Sequence, residues 1–280
     1  MNFFPLLAAV VGALEQLDIK HTLSKLKLNV ARFNVQFFPI IFLITLTLSP
    51  LNWQLDWSAV RSFPRVIEIF TLITVGAIWH IAYFRGVKKA HVDEFELFRL
   101  LQPLVAASLA ALLFSSERIP LIGVAITLSS LILVLAHFKR HRFYGSSATR
   151  YLLIGTIAMG CEVVLVKDLL QFFSPIVLLT IYSGGLTIIF YRLFPAMIKP
   201  GNERQIRAII SAAIIGALYG LLLFSSIKLL GVARTTMLLM VEPLFVYIGA
   251  RFLLRETLHP TKVVAGLSVA AIVIWVNVIS

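Results

Sequence analysis

Charge is scarce in this sequence, and so is cysteine. Only 14% of the 280 residues are charged, 13 of them are Asp or Glu, and a single cysteine, Cys161, stands inside an apolar run. One thiol excludes a disulfide framework and any CxxC-type metal site. No phosphate-cradling glycine loop, nucleophile triad or metal-ligand constellation is present, which argues against an enzyme and implies no cofactor. His91, Asp93, Glu94 and Glu96 crowd together, but acids at the start of a helix, with Asp93 and Glu96 as a capping box, account for them more simply than a metal does. The first 14 residues lack the basic n-region of a cleaved signal peptide.

What fills the chain instead is apolar. Hydrophobic residues make up 59% and the mean hydropathy is +0.94, where a soluble domain has roughly 45–50% apolar and about 25% charged residues. Long runs recur at 103–114, 122–136, 209–225 and 263–279. Some 20 helical residues cross a bilayer core of about 30 Å, and backbone groups without water partners must bond within the segment. A β-barrel would alternate instead over about ten residues. The expected fold class is an all-α polytopic membrane protein in the plasma (inner) membrane. Ten transmembrane helices are expected near 3–22, 36–51, 67–84, 95–114, 120–138, 151–168, 175–194, 208–226, 235–254 and 261–279.

The second half repeats the first at a distance of 140 residues: Gly76, Phe84, Lys88, Leu101, Pro103, Leu104 and Pro120 are answered by Gly216, Phe224, Lys228, Val241, Pro243, Leu244 and Pro260. Gly12, Glu15 and Lys20 likewise resemble Gly160, Glu162 and Lys167. This divides the chain into two five-helix repeats, 1–143 and 144–280. Because five is odd, copies joined in series enter the membrane from opposite sides, giving an inverted repeat of the kind on which many secondary transporters are built.

The net charge of +12 sits in short loops, so it reads as a topology signal and not as a nucleic-acid surface. Alternating the spans puts eighteen Lys and Arg residues on one side and six (Arg61, Arg65, Arg118, Lys167, Lys228 and Arg234) on the other. The positive-inside rule then places both termini outside the cytoplasm.

Span nine and its sequel read VEPLFVYIGARFLLRETLHPTKVVAGLSVAAIVIW over 241–275, and the first half carries a weaker version, LQPLVAASLAALLFSSERIPLIGVAITLSSLILVL, over 101–135. A central proline, a short acidic loop with Glu256 or Glu117, and a glycine-containing last span resemble the EamA-type family of the drug/metabolite transporter (DMT) superfamily. The resemblance implies ten helices in two inverted repeats with alternating access to a central cavity. It also implies both termini in the cytoplasm, opposite to the loop charges.

Ionisable residues within lipid are costly and so face a cavity or a partner. Glu242 lies inside span nine directly before Pro243, and its repeat counterpart is Gln102 before Pro103; it serves substrate or proton binding, or else it is protonated and bonds a carbonyl freed by the proline. Glu15 and Glu162, each five residues ahead of a lysine, form a second pair. Low dielectric favours the neutral form of a carboxyl group, which suits a proton carrier; the plainer reading is a packing ion pair. Arg99 either meets an anionic group or Glu242, or snorkels to the interface. Trp79, His80, Tyr83 and Tyr219 either line the cavity and stack on a substrate or belong to an interfacial aromatic belt. Gly216 and Gly220 read as close helix packing. Pro103 and Pro243 each remove a mid-span hydrogen bond and are candidate hinges. Glu117 and Glu256 read as helix caps in tight loops.

The sequence thus points to a secondary transporter that moves a small polar metabolite by alternating access, with protons as a candidate coupling ion. The alternatives are a flippase for a lipid-linked substrate and a non-transporting membrane interaction subunit. The expected partners are a small-molecule substrate and the lipid bilayer, with no nucleic acid, in a monomer or homodimer.

Overall fold

The computed structural model describes residues 3–90, 92–138, 146–199, 201–254 and 260–279, and helices dominate it. They are α1 (Phe4–Lys20), α2 (Val30–Leu48), the short α3 (Trp57–Arg61), α4 (Phe63–Lys89), α5 (Val92–Leu113), α6 (Pro120–Phe138), α7 (Ser147–Leu169), α8 (Pro175–Leu193), α9 (Glu203–Leu239), α10 (Glu242–Gly249) and α11 (Pro260–Ile279). Polar residues between apolar runs mark the starts. Asn29, Ser146, Ser174 and Asn202 each cap a helix by accepting a backbone N–H, from Ala31, Thr149, Val177 and Gln205.

The chain is a membrane protein. Four segments among the described residues are long and apolar enough to span a bilayer: Val30–Asn52, Phe63–Lys89, Pro175–Leu193 and Glu203–Leu239. Shorter apolar stretches lie at Leu101–Leu113, Pro120–Ala136 and Val263–Ile279. The ten expected spans therefore exceed what length and hydropathy alone identify.

Two sequence expectations change here. The loop expected between spans eight and nine is absent, because α9 runs through it with a break at one residue, Gly231, where φ is +82° and ψ 177°. That conformation is open essentially to glycine alone. Pro243 does not kink a continuous helix either. The chain turns at Met240 and Val241, and Pro243 sits in the first turn of α10, where its missing N–H has no intrahelical partner to lose. Pro103, by contrast, lies inside the unbroken α5.

Helix pairings exchange between the halves. α4 packs along α7 as α1 packs along α9; α5 meets α7 as α1 meets α10; α2 meets α9 as α8 meets α4; α2 with α8 and α6 with α11 are self-matching pairs. Close approach is bought with small residues. A Cβ on Gly155 would lie 2.7 Å from Tyr83, and one on Gly160 would lie 2.6 Å from Val105, so α7 sits directly against α4 and α5.

The bundle ends differ chemically. At one end Lys20 donates to the carbonyls of Val87, at 2.8 Å, and Ala90; Ser24 reaches Lys88 and Lys89 reaches Ser147. The opposite end carries Arg65 between Glu68 and Asp168, Lys167 on Glu117, and Lys228 on the Phe173 carbonyl.

Candidate functional site

Between the halves lies a cavity of about 90 Å³. It is lined by α1, α2, α4 and α5 of the first half and by α7, α8 and α9 of the second. That space holds several waters or a compact solute.

One wall is ionic. Glu242 is 3% exposed. Arg99 Nη2 donates to both of its oxygens, at 2.9 and 3.0 Å, and to the Tyr219 hydroxyl at 3.1 Å. Gln16 Nε2 donates to Glu242 Oε1 at 2.6 Å. Glu15 lines the cavity beside this group, with Arg99 and Glu242 as its charged neighbours. Arg99 therefore turns inward, and the snorkelling alternative is overturned: in a largely buried site its guanidinium gains more from a carboxylate than from the interface. Two carboxylates thus stand beside one guanidinium.

Glycine makes this wall possible. A Cβ on Gly12 would lie 2.5 Å from Glu242 Oε1 and 2.7 Å from the Tyr219 ring, and one on Gly216 would lie 2.8 Å from Glu15 Oε1. The packing role read for Gly216 and Gly220 fits: their missing side chains leave room for Phe37 and Leu179.

The other wall is aromatic with one acid. Glu162 is 7% exposed and lines the cavity. The Tyr182 hydroxyl donates to it, and Trp79 Nε1 donates to the Tyr182 oxygen at 3.3 Å. Glu162 Oε2 has no hydrogen-bond partner among the described residues. His80 Nδ1 lies 2.7 Å from the Gly76 carbonyl, and since a carbonyl only accepts, Nδ1 carries the proton. Phe38 meets the His80 ring edge-on with centroids 4.5 Å apart.

Glu242, Glu162, Glu15, Gln102, Arg99, Trp79, His80, Tyr83 and Tyr219 thus surround one hollow: Glu242 is tied to the lining residues Gln16, Arg99 and Tyr219, and the other eight line the hollow directly. Pro103 and Pro243 follow Gln102 and Glu242 along the chain. Glu117 is a cap, although not of its own loop, since it binds Val232 and Ala233. Glu256 lies outside the described residues, as do His91 and the side chains of Asp93, Glu94 and Glu96. No group of metal-ligating side chains occurs among the described residues.

Sequence reasoning passed over Gln16 and Tyr182. Gln16 shows its use only through its bond to Glu242, 226 residues away. Tyr182 has no local signal; its partner Trp79 is 103 residues distant.

Residues 146–278 match the EamA-like transporter family, a family of the DMT superfamily. No curated protein matches the chain. Among solved structures 28 chains match. One of them, described only as a crystal structure of a protein, is 13% identical with a TM-score of 0.72, and the match covers 99% of this chain and 95% of that one. At that identity the likeness is one of fold.

Proposed function

We propose that this chain, whose residues 146–278 match the EamA-like transporter family, is a secondary transporter that carries a small polar metabolite through the central cavity by alternating access. In this reading residues 1–143 and 144–280 are two five-helix repeats inserted with opposite orientation in the plasma (inner) membrane, the strongly basic end facing the cytoplasm. The observation that carries it is the cavity itself. Its polar lining comes from both halves, and its acids turn toward a shared interior and away from lipid. A flippase would instead call for a lateral opening between spans with polar residues facing it, and an interaction subunit has no need of a hollow lined from both halves.

Each residue then has a part. Arg99 and Gln16 hold Glu242 at a fixed place. Glu15, with Glu242, exceeds the one guanidinium by a charge and so takes up a proton or cation during the cycle. Rocking of one half on the other exposes the hollow to either side, with Pro103 and the break at Met240–Val241 as flexible points.

The test begins with thermal-shift screening of purified protein against amino acids, nucleobases, sugars, amines and organic anions, followed by uptake of the stabilising compounds into liposomes. Uptake by the native protein and its loss in Glu242→Gln, at unchanged folded yield, are expected. If no stabilising compound is taken up, the transport reading fails; unchanged uptake in Glu242→Gln removes that residue from the site.

A further inference from the structure

The charge in the cavity is unbalanced on one side. Among the described residues that line it, the only guanidinium is that of Arg99, and it is committed to Glu242 and Tyr219 with Glu15 alongside. Glu162 stands on a different helix, α7, and no arginine or lysine reaches it among the described residues. Its Oε2 is buried and without a donor. The near groups do not supply one: the Tyr182 hydroxyl already donates to Glu162 and the Trp79 N–H goes to Tyr182, the His80 Nδ1 proton faces the Gly76 carbonyl, and no hydrogen bond joins the Tyr83 hydroxyl to Oε2.

A carboxylate oxygen only accepts, and leaving a buried acceptor unmet is costly. The missing partner is therefore a donor, and the walls around it are the rings of Trp79, Tyr83 and Tyr182, whose faces attract positive charge. A ligand carboxylate or phosphate would instead meet Glu162 with like charge. We propose that the cavity selects a small organic cation, its ammonium held by Glu162 Oε2 among these rings and its apolar body lying toward Phe38 and Phe84. This names the substrate class of the transporter proposed above and rests on that reading.

Three probes with one aryl body separate the charges: phenethylammonium, 2-phenylethanol and 3-phenylpropionate, with benzyltrimethylammonium as a cation that offers charge but no N–H. Each is measured by thermal shift and by uptake into liposomes holding the full chain. The expected result is stabilisation and uptake of the ammonium ions at concentrations where alcohol and carboxylate do nothing. Glu162→Gln should weaken the ammonium ions at least about tenfold, and Glu162→Asp should retain the preference for positive charge. Trp79→Leu keeps the acid and removes a ring face, so it should weaken benzyltrimethylammonium by about fivefold, near 1 kcal/mol. It also serves if the Glu162 variants do not fold. The proposal is overturned if neither ammonium ion binds, if 3-phenylpropionate binds as well, or if Glu162→Gln leaves the preference intact. Uptake of sugars, nucleobases or amino acids in such a case would leave the transport reading standing; no uptake of any compound would remove both.

Discussion

Glu117, in the turn after α5, accepts the backbone N–H groups of Val232 and Ala233 at 3.2 and 2.8 Å, across 115 residues of chain. The break at Gly231 creates a new helix start whose first N–H groups have no partner in their own helix. A carboxylate from the other half supplies the acceptor, and its negative charge suits the positive helix end. Lys167, from the second half, completes the group with a 2.5 Å contact to Glu117 Oε1. The two halves are thus tied at the end opposite the basic loops.

Removing that carboxylate should be felt as stability. Glu117→Ala leaves two buried N–H groups and the Lys167 ammonium without their acceptor, a loss of about 1–3 kcal/mol. Glu117→Gln keeps one acceptor and should lose less. Thermal denaturation in detergent reads this, and equal melting temperatures for native and Glu117→Ala protein would show that the tie is dispensable.

Gly231 admits no side chain. A Cβ there would collide with the Glu117 carboxylate, and the backbone region costs a non-glycine residue about 1–3 kcal/mol. Gly231→Ala should therefore destabilise at least as much as Glu117→Ala, and the double variant should fall short of the sum of the two because both losses act on one contact. Full additivity would show that the break and the cap are independent.

Gly12→Ala and Gly123→Ala make a matched pair. Both replace glycine within a helix, a change that favours the helix by roughly 0.5–1 kcal/mol. At Gly123 nothing lies within 4 Å of the new methyl, so stability should rise and uptake stay as it is. At Gly12 the methyl meets Glu242 Oε1 at 2.5 Å, and Glu242 cannot yield without leaving Arg99 or Gln16. Uptake should fall severely while the protein still folds; indistinguishable uptake in the two variants would show that Glu242 tolerates displacement.

Arg99→Leu leaves Glu15 and Glu242 beside each other with no guanidinium between them. Breaking a buried pair in this way costs about 3–5 kcal/mol, whereas replacing both partners with apolar residues is often close to neutral. Arg99→Leu should therefore melt well below the native protein, and Arg99→Leu with Glu242→Leu should recover most of the loss without restoring uptake. A double variant no more stable than Arg99→Leu alone would count against the pairing.

Orientation separates loop charge from family resemblance. A reporter fused after Ser280 is expected to be active outside the cytoplasm, as the eighteen-to-six bias of basic residues demands. Activity inside would reverse the bundle and make the ion-paired end cytoplasmic.

Much was legible without coordinates because lipid imposes its rules residue by residue. Apolar runs must be helices there, and acids within them must face inward; hence Glu15, Glu162 and Glu242 stood out. Segment ends were less legible: a single glycine replaced the expected loop near 231, and Pro243 began a helix where a kink was expected, because hydropathy does not register backbone dihedral angles.

The sequence by itself determined the class of the protein, its long apolar segments and which residues are too polar for their surroundings, since each follows from a local transfer cost. Partnership was decided by the tertiary structure alone. That Arg99 serves Glu242 while Glu162 keeps an unmet oxygen, and that Glu117 caps a helix of the other half, depends on which helices pack together. Those contacts join residues 143 and 116 positions apart, and no local pattern encodes them.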